Sequence, residues 1–163
     1  MENPEDTAAA ISAISRSSWI TSNAISPEEL NQITNLVDEY LSSEYPTERA
    51  AAIAALQTIP NENHQQTIIA GINDESALVR QQALNVYARS PFNKKSLLDD
   101  LVQRVQDQNF GHLERYHVVQ VLETAEISEA QLETVNEARK NIEDFLSSLS
   151  ENEKKELYLT QGS

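Results

Sequence analysis

The stretch Thr67-Ile68-Ile69-Ala70-Gly71-Ile72-Asn73-Asp74-Glu75-Ser76-Ala77-Leu78-Val79-Arg80-Gln81-Gln82-Ala83-Leu84 decides the fold. It holds two apolar segments divided by a polar turn, Asn73-Asp74-Glu75-Ser76, and neither segment alternates with the period of two that a half-buried strand requires. Ile68 and Ile72 stand four apart before the turn, and Val79, Ala83 and Leu84 share one helical face after it. The stretch therefore predicts a helix, a short turn and a second helix.

Self-similarity extends this unit in both directions. With Arg49, Arg80 and Arg115 in register, Ala52, Ala83 and Val118 stand three residues on, Ile53, Leu84 and Val119 four on, and Leu56, Tyr87 and Leu122 seven on. Those offsets draw one buried face on the second helix of each unit. Upstream, Leu41 and Ile72 lie eight residues before their arginine, and Val37 and Ile68 twelve before. Leu101 and Val105 fit the same pattern when the third turn, residues 106–112, is two residues longer. A second pair of extra residues near Ser90-Pro91 completes the difference between the arginine spacings, 31 and 35.

Helix-start signals punctuate the rest of the chain. Ser26-Pro27-Glu28-Glu29, Ser128-Glu129-Ala130-Gln131 and Ser150-Glu151-Asn152-Glu153 each place a hydroxyl three residues before a Glu or Gln, the pattern of a capping box. Asn3-Pro4 and Ser90-Pro91 read as further starts, whereas Tyr45-Pro46 and Ile59-Pro60 mark where preceding helices end. Apolar stripes at helical spacing fill the intervals: Leu30, Ile33, Val37 and Leu41, then Leu97, Leu98, Leu101, Val102 and Val105, then Leu132, Val135, Ala138, Ile142, Phe145 and Leu149. Eight or nine helices with short connections follow from these marks.

A helix, a turn carrying Asn73-Asp74, and a second helix opening on Val79-Arg80 and continuing to Ala83-Leu84 resembles the HEAT-repeat family, in particular the compact HEAT-like repeats of bacterial proteins. The resemblance spans about residues 30–122. Its best copy is the middle unit, since Glu48 and Glu114 stand where that unit has Val79. It implies an all-α fold: a right-handed α-α superhelix, or HEAT-like solenoid, of antiparallel helix hairpins. Residues 1–163 would form one such domain, with an N-terminal cap helix in 1–25, three helix pairs in 26–125 and C-terminal capping helices in 126–160. It also implies that Arg49, Asp74, Arg80 and Arg115 are structural residues of the repeat.

Charge narrows the function classes. The 163 residues carry 26 acids against 12 Lys and Arg, a net charge of −14. Binding to phosphate backbones or anionic membranes relies on cationic neutralisation, so neither nucleic acid nor membrane is an expected partner. The absence of cysteine excludes thiolate chemistry and disulfides, and three glycines leave no phosphate loop. No apolar run approaches the length of a bilayer span, and the acidic start lacks a signal peptide's basic region, which points to the cytoplasm. A mature exported domain without its signal would read the same way. By thirds the charge is −8 over residues 1–48, zero over 49–118 and −6 over 119–163. Acid therefore gathers at the two ends, where the caps of a repeat array need polar surface.

No catalytic, cofactor or metal site is expected. His112 and His117 are five apart, on different helix faces, and no HExxH occurs; His64, His112 and His117 read as surface or capping residues. The adjacent pairs Asp99-Asp100 and Glu28-Glu29 point to different sides of a helix and read as solvated charge. What remains is a non-catalytic protein-interaction module, an adaptor or scaffold that takes a protein or peptide on a concave face. That face would be the stripe opposite the core: Gln82, Asn85 and Arg89 in one unit, His117, Gln120 and Thr124 in the next. In the first unit the stripe is apolar, Ala51, Ala54 and Thr58, so a cover is expected from the segment of Ala8, Ile11, Ile14 and Trp19. Alternatively that segment is a detachable contact element with Trp19 as its anchor. A small acidic inhibitor that mimics nucleic acid and blocks a basic groove on an enzyme is the competing reading, disfavoured by the neutral middle third.

Overall fold

The computed structural model describes residues 4–15, 25–59, 64–90 and 97–161. Among these the chain forms nine helices and no strand. They are α1 (Pro4–Ser15), α2 (Pro27–Tyr40), α3 (Pro46–Ala55), α4 (His64–Gly71), α5 (Ala77–Arg89), α6 (Leu98–Gln106), α7 (His112–Glu123), α8 (Glu129–Ser148) and α9 (Glu151–Gln161). The all-α expectation holds. No described helix is long and apolar enough to cross a membrane.

The start signals act as the local chemistry requires. The Ser26 hydroxyl accepts the Glu29 N–H at 3.2 Å while Glu29 accepts the Ser26 N–H at 2.8 Å. Ser128 with Gln131 and Ser150 with Glu153 close the same reciprocal loop. Each box satisfies donors that the first turn of a helix leaves without an intrahelical partner. Pro4, Pro27 and Pro46 are the first residues of their helices, where the missing N–H costs nothing. Ser90 caps the end of α5, its hydroxyl donating to the Val86 carbonyl at 2.7 Å; the start expected at Ser90-Pro91 falls on residues outside those described.

Contacts gather the chain into two compact units, residues 1–90 and 91–163. In the first unit α3 is the hub. It packs most extensively on α1 and on α5, and also on α2 and α4, while α4 and α5 pack on each other. In the second, α6, α7 and α8 pack mutually. All nine second-helix positions picked out by the repeat, from Ala52 through Tyr87 to Leu122, are at most 5% exposed. Val37, Ile68, Ile72, Leu101 and Val105 join them. Burial of each such aliphatic side chain stabilises by about 1.5–3 kcal/mol.

Stripes at the ends depart from expectation. Leu132 begins the α8 stripe but is 46% exposed, and only Val135, Ala138 and Ile142 are buried on that helix. None of the described side chains of α9 is buried. At Gly71 the helices come closest: a methyl group there would meet Ile53 Cδ1 at 2.6 Å and Ala83 Cβ at 3.0 Å.

Candidate interaction surface

The three arginines of the repeat sit at the same place, the fourth residue of α3, α5 and α7. Two of them hold their own turn in the same way. Arg49 Nη1 donates to the carbonyls of Ser43 and Glu44 at 2.9 and 3.3 Å, six and five residues back. Arg80 Nη1 donates to those of Asp74 and Glu75, also six and five back, at 2.9 and 2.8 Å. In both turns the residue six before the arginine bonds the N–H two residues on: Ser43 to Tyr45 at 3.1 Å, Asp74 to Ser76 at 2.8 Å. Arg49 also forms a two-pronged pair with Asp74 of the following turn, Nε and Nη2 donating at 3.0 and 2.8 Å. Burial opposes a charge on Asp74, but the bonds from Arg49 and Ser76 outweigh it and hold its carboxyl below the ordinary value. The same pair raises Arg49.

The third arginine differs for a reason that its turn supplies. Asp107 bonds the N–H of Asn109 at 2.9 Å, the same local loop, but it stands eight residues before Arg115 rather than six. Together with buried Leu101 and Val105, this puts the two extra residues between that loop and the start of α7. Arg115 Nε is buried without a hydrogen-bond partner among the described residues. Beside it, Glu114 is 6% exposed and meets Arg104 at 3.8 Å; Glu48, at the equivalent place, is 6% exposed and accepts the Ser43 hydroxyl. The position that reads as a departure from the repeat pattern is thus a buried one in all three units, with the polar occupants paired and the middle one Val79.

The candidate contact residues fall in both units. On α5, Gln82 and Asn85 are half-buried and Arg89 exposed, on a face distinct from fully buried Ala83, Leu84 and Tyr87. On α7, Gln120 is exposed, while half-buried His117 donates from Nδ1 to the Leu113 carbonyl at 2.7 Å. Thr124 similarly turns back to Val121. Trp19 lies outside the described residues. The apolar stripe of α3 has its expected cover in α1: Ile11 is 1% exposed, Ala51 is 6% exposed, and the Thr58 hydroxyl reaches the Ile14 carbonyl at 3.5 Å.

Histidines correct the reading in one place. His64 is a buried residue at the start of α4, not a surface one. Burial pushes its ring below the ordinary 6.5, against the opposing pull of the Leu56 and Ile59 backbone and Asp38, and Nε2 has no hydrogen-bond partner among the described residues. His112 lies flat on Phe145, centroids 3.6 Å apart, and is lowered by burial and by Arg115. No cluster of His, Asp and Glu suited to a metal ion occurs among the described residues.

One feature escapes sequence reading. Helices α1 and α2 both pack on α3 rather than on each other, and a groove of about 510 Å³ opens between them. Asp6, Thr7, Ala10, Ile11 and Ile14 line it from α1 and Leu36 and Tyr40 from α2. Leu36 is 42% exposed, adjacent in sequence to fully buried Val37 and off the core stripe. The readable signal is a second stripe, Ile33, Leu36 and Tyr40, at intervals of three and four. No family model matches the chain, and neither a curated protein nor a solved structure matches it.

Proposed function

We propose that the chain is a non-catalytic protein-interaction module, an adaptor or scaffold, built as a right-handed HEAT-like superhelix. The fold part of this reading is supported by the repeated geometry of Arg49 and Arg80, which bond the carbonyls at the same offsets, and by the Arg49–Asp74 pair that joins consecutive helix pairs. The observation that carries the functional part is the face of α5. Gln82, Asn85 and Arg89 offer amide and guanidinium groups to a partner from a helix whose other side is locked into the core, so the contacting groups are held without a large ordering cost. Protein or peptide is the partner that this surface suits, and the cytoplasm is the compartment that the sequence favours. Replacing Asn85, Arg89 and Gln120 with alanine together should leave thermal melting nearly unchanged. It should abolish recovery of a partner from lysate of the native host; full recovery by the triple variant would overturn the α5 face as the contact surface.

A further inference from the structure

The groove between α1 and α2 is covered by no described part of the chain, and the described charges beside it are acidic. Asp6 lines it. At about 100° per residue, Glu29 and Glu39 fall within about 60° of Leu36 on the same face of α2, and both are exposed. Glu29 is held ionised below its ordinary value by the Ser26 backbone N–H and hydroxyl. Residues 1–48 as a whole hold nine acids against Arg16. An apolar floor with an acidic rim is complementary to a helix with an apolar stripe and basic flanks.

The walls favour a helix. Two helices docked on a third leave the kind of furrow into which the side-chain ridge of a further helix packs, and the small side chain of exposed Ala10 in its lining leaves room for a backbone to approach. A second copy of this chain is a poor occupant: a symmetric contact through the groove would set acid against acid.

We propose that this groove is a docking site for a cationic amphipathic helix of another protein, with apolar side chains at i, i+3, i+4 and i+7 seated between Ile14, Leu36 and Tyr40 and basic ones facing Asp6, Glu29 and Glu39. The proposal rests on the interaction-module reading and adds a second contact surface to it, separate from the α5 face.

The test uses the full chain and fluorescent peptides of about 18 residues: a Leu/Lys amphipathic helix, a scramble of the same composition, and a Leu/Glu helix of the same pattern. The Leu/Lys helix should bind, weaken as salt rises from about 50 to about 500 mM, and outcompete both controls by about tenfold or more. Leu36→Ser and Ala10→Gln, each checked by circular dichroism for an unchanged melt, should each lower affinity about tenfold. Gln82→Ala with Asn85→Ala and Arg89→Ala should leave it unchanged. Equal binding of the scramble or the Leu/Glu peptide, equal affinity of both groove variants, or no binding at all overturns the proposal. If the groove fails but the Asn85, Arg89 and Gln120 variant still loses its partner, the interaction reading stands; if that variant keeps its partner while the groove variants lose the peptide, the interaction surface is the groove and not the α5 face.

Discussion

Arg49 and Arg115 stand at the same position of two helices, and only Arg49 has a partner for its guanidinium Nε. Removing one member of a buried, two-pronged pair leaves the other charge uncompensated, at a cost of about 3 kcal/mol. A buried donor without a partner contributes the opposite sign, because its desolvation is not recovered. Arg49→Met should therefore destabilise by about 3 kcal/mol in urea denaturation, while Arg115→Met, which keeps most of the apolar stem, should fall within about 0.5 kcal/mol of the parent or above it. A loss at Arg115 as large as at Arg49 would mean that the two arginines do equivalent work. His64 makes a second residue-scale prediction. Its folded-state value lies below the ordinary 6.5, so on acidification the unfolded chain takes up the proton first. Stability is full above 6.5 and declines as pH falls through the lower, folded value; His112 acts in the same direction. The urea midpoint should drop between about pH 7.5 and pH 5, and His64→Phe should flatten that slope. The lowered carboxyl of Asp74 contributes in a separate window, with stability present above 3.8 and lost at more acid pH.

At the scale of the element, the helices and their starts were legible because their causes are local. A serine three residues before a glutamate, or a proline at the first helical position, acts within one turn, and all three capping boxes form. A serine hydroxyl can also return to a carbonyl four residues back at the end of a helix, as that of Ser90 does to Val86. The α1–α2 groove was not legible, since it depends on two helices choosing the same third helix as neighbour. Gly71 shows how tightly that third helix is enclosed: its missing side chain lets α4 approach Ile53 on α3 and Ala83 on α5. Gly71→Ala should destabilise by about 1–3 kcal/mol. Ile53→Val removes the Cδ1 atom that the new methyl would strike, so the double variant should lose less than the two single variants combined.

At the scale of the whole molecule, the net charge of −14 is a sum over regions with different surroundings. The balanced region, residues 49–118, contains the turn-holding Arg49 and Arg80, whose shared register along the chain was legible from spacing while their bonds to the turn carbonyls were not. The acid-rich first 48 residues contain the groove, whose function depends on what stands beside that acid, and composition carries no such information. Arg49 and Arg80 grip their own turns alike, and Arg49 also clasps the acid of the turn that follows. A tandem duplication of residues 50–80 would set a new Asp74 after Arg80, at the spacing at which the present one follows Arg49. The thirty-one residues 50–80 are thus a splice-ready tile, whose last seven residues hold both the acid that meets the preceding arginine and the arginine that the next acid would meet.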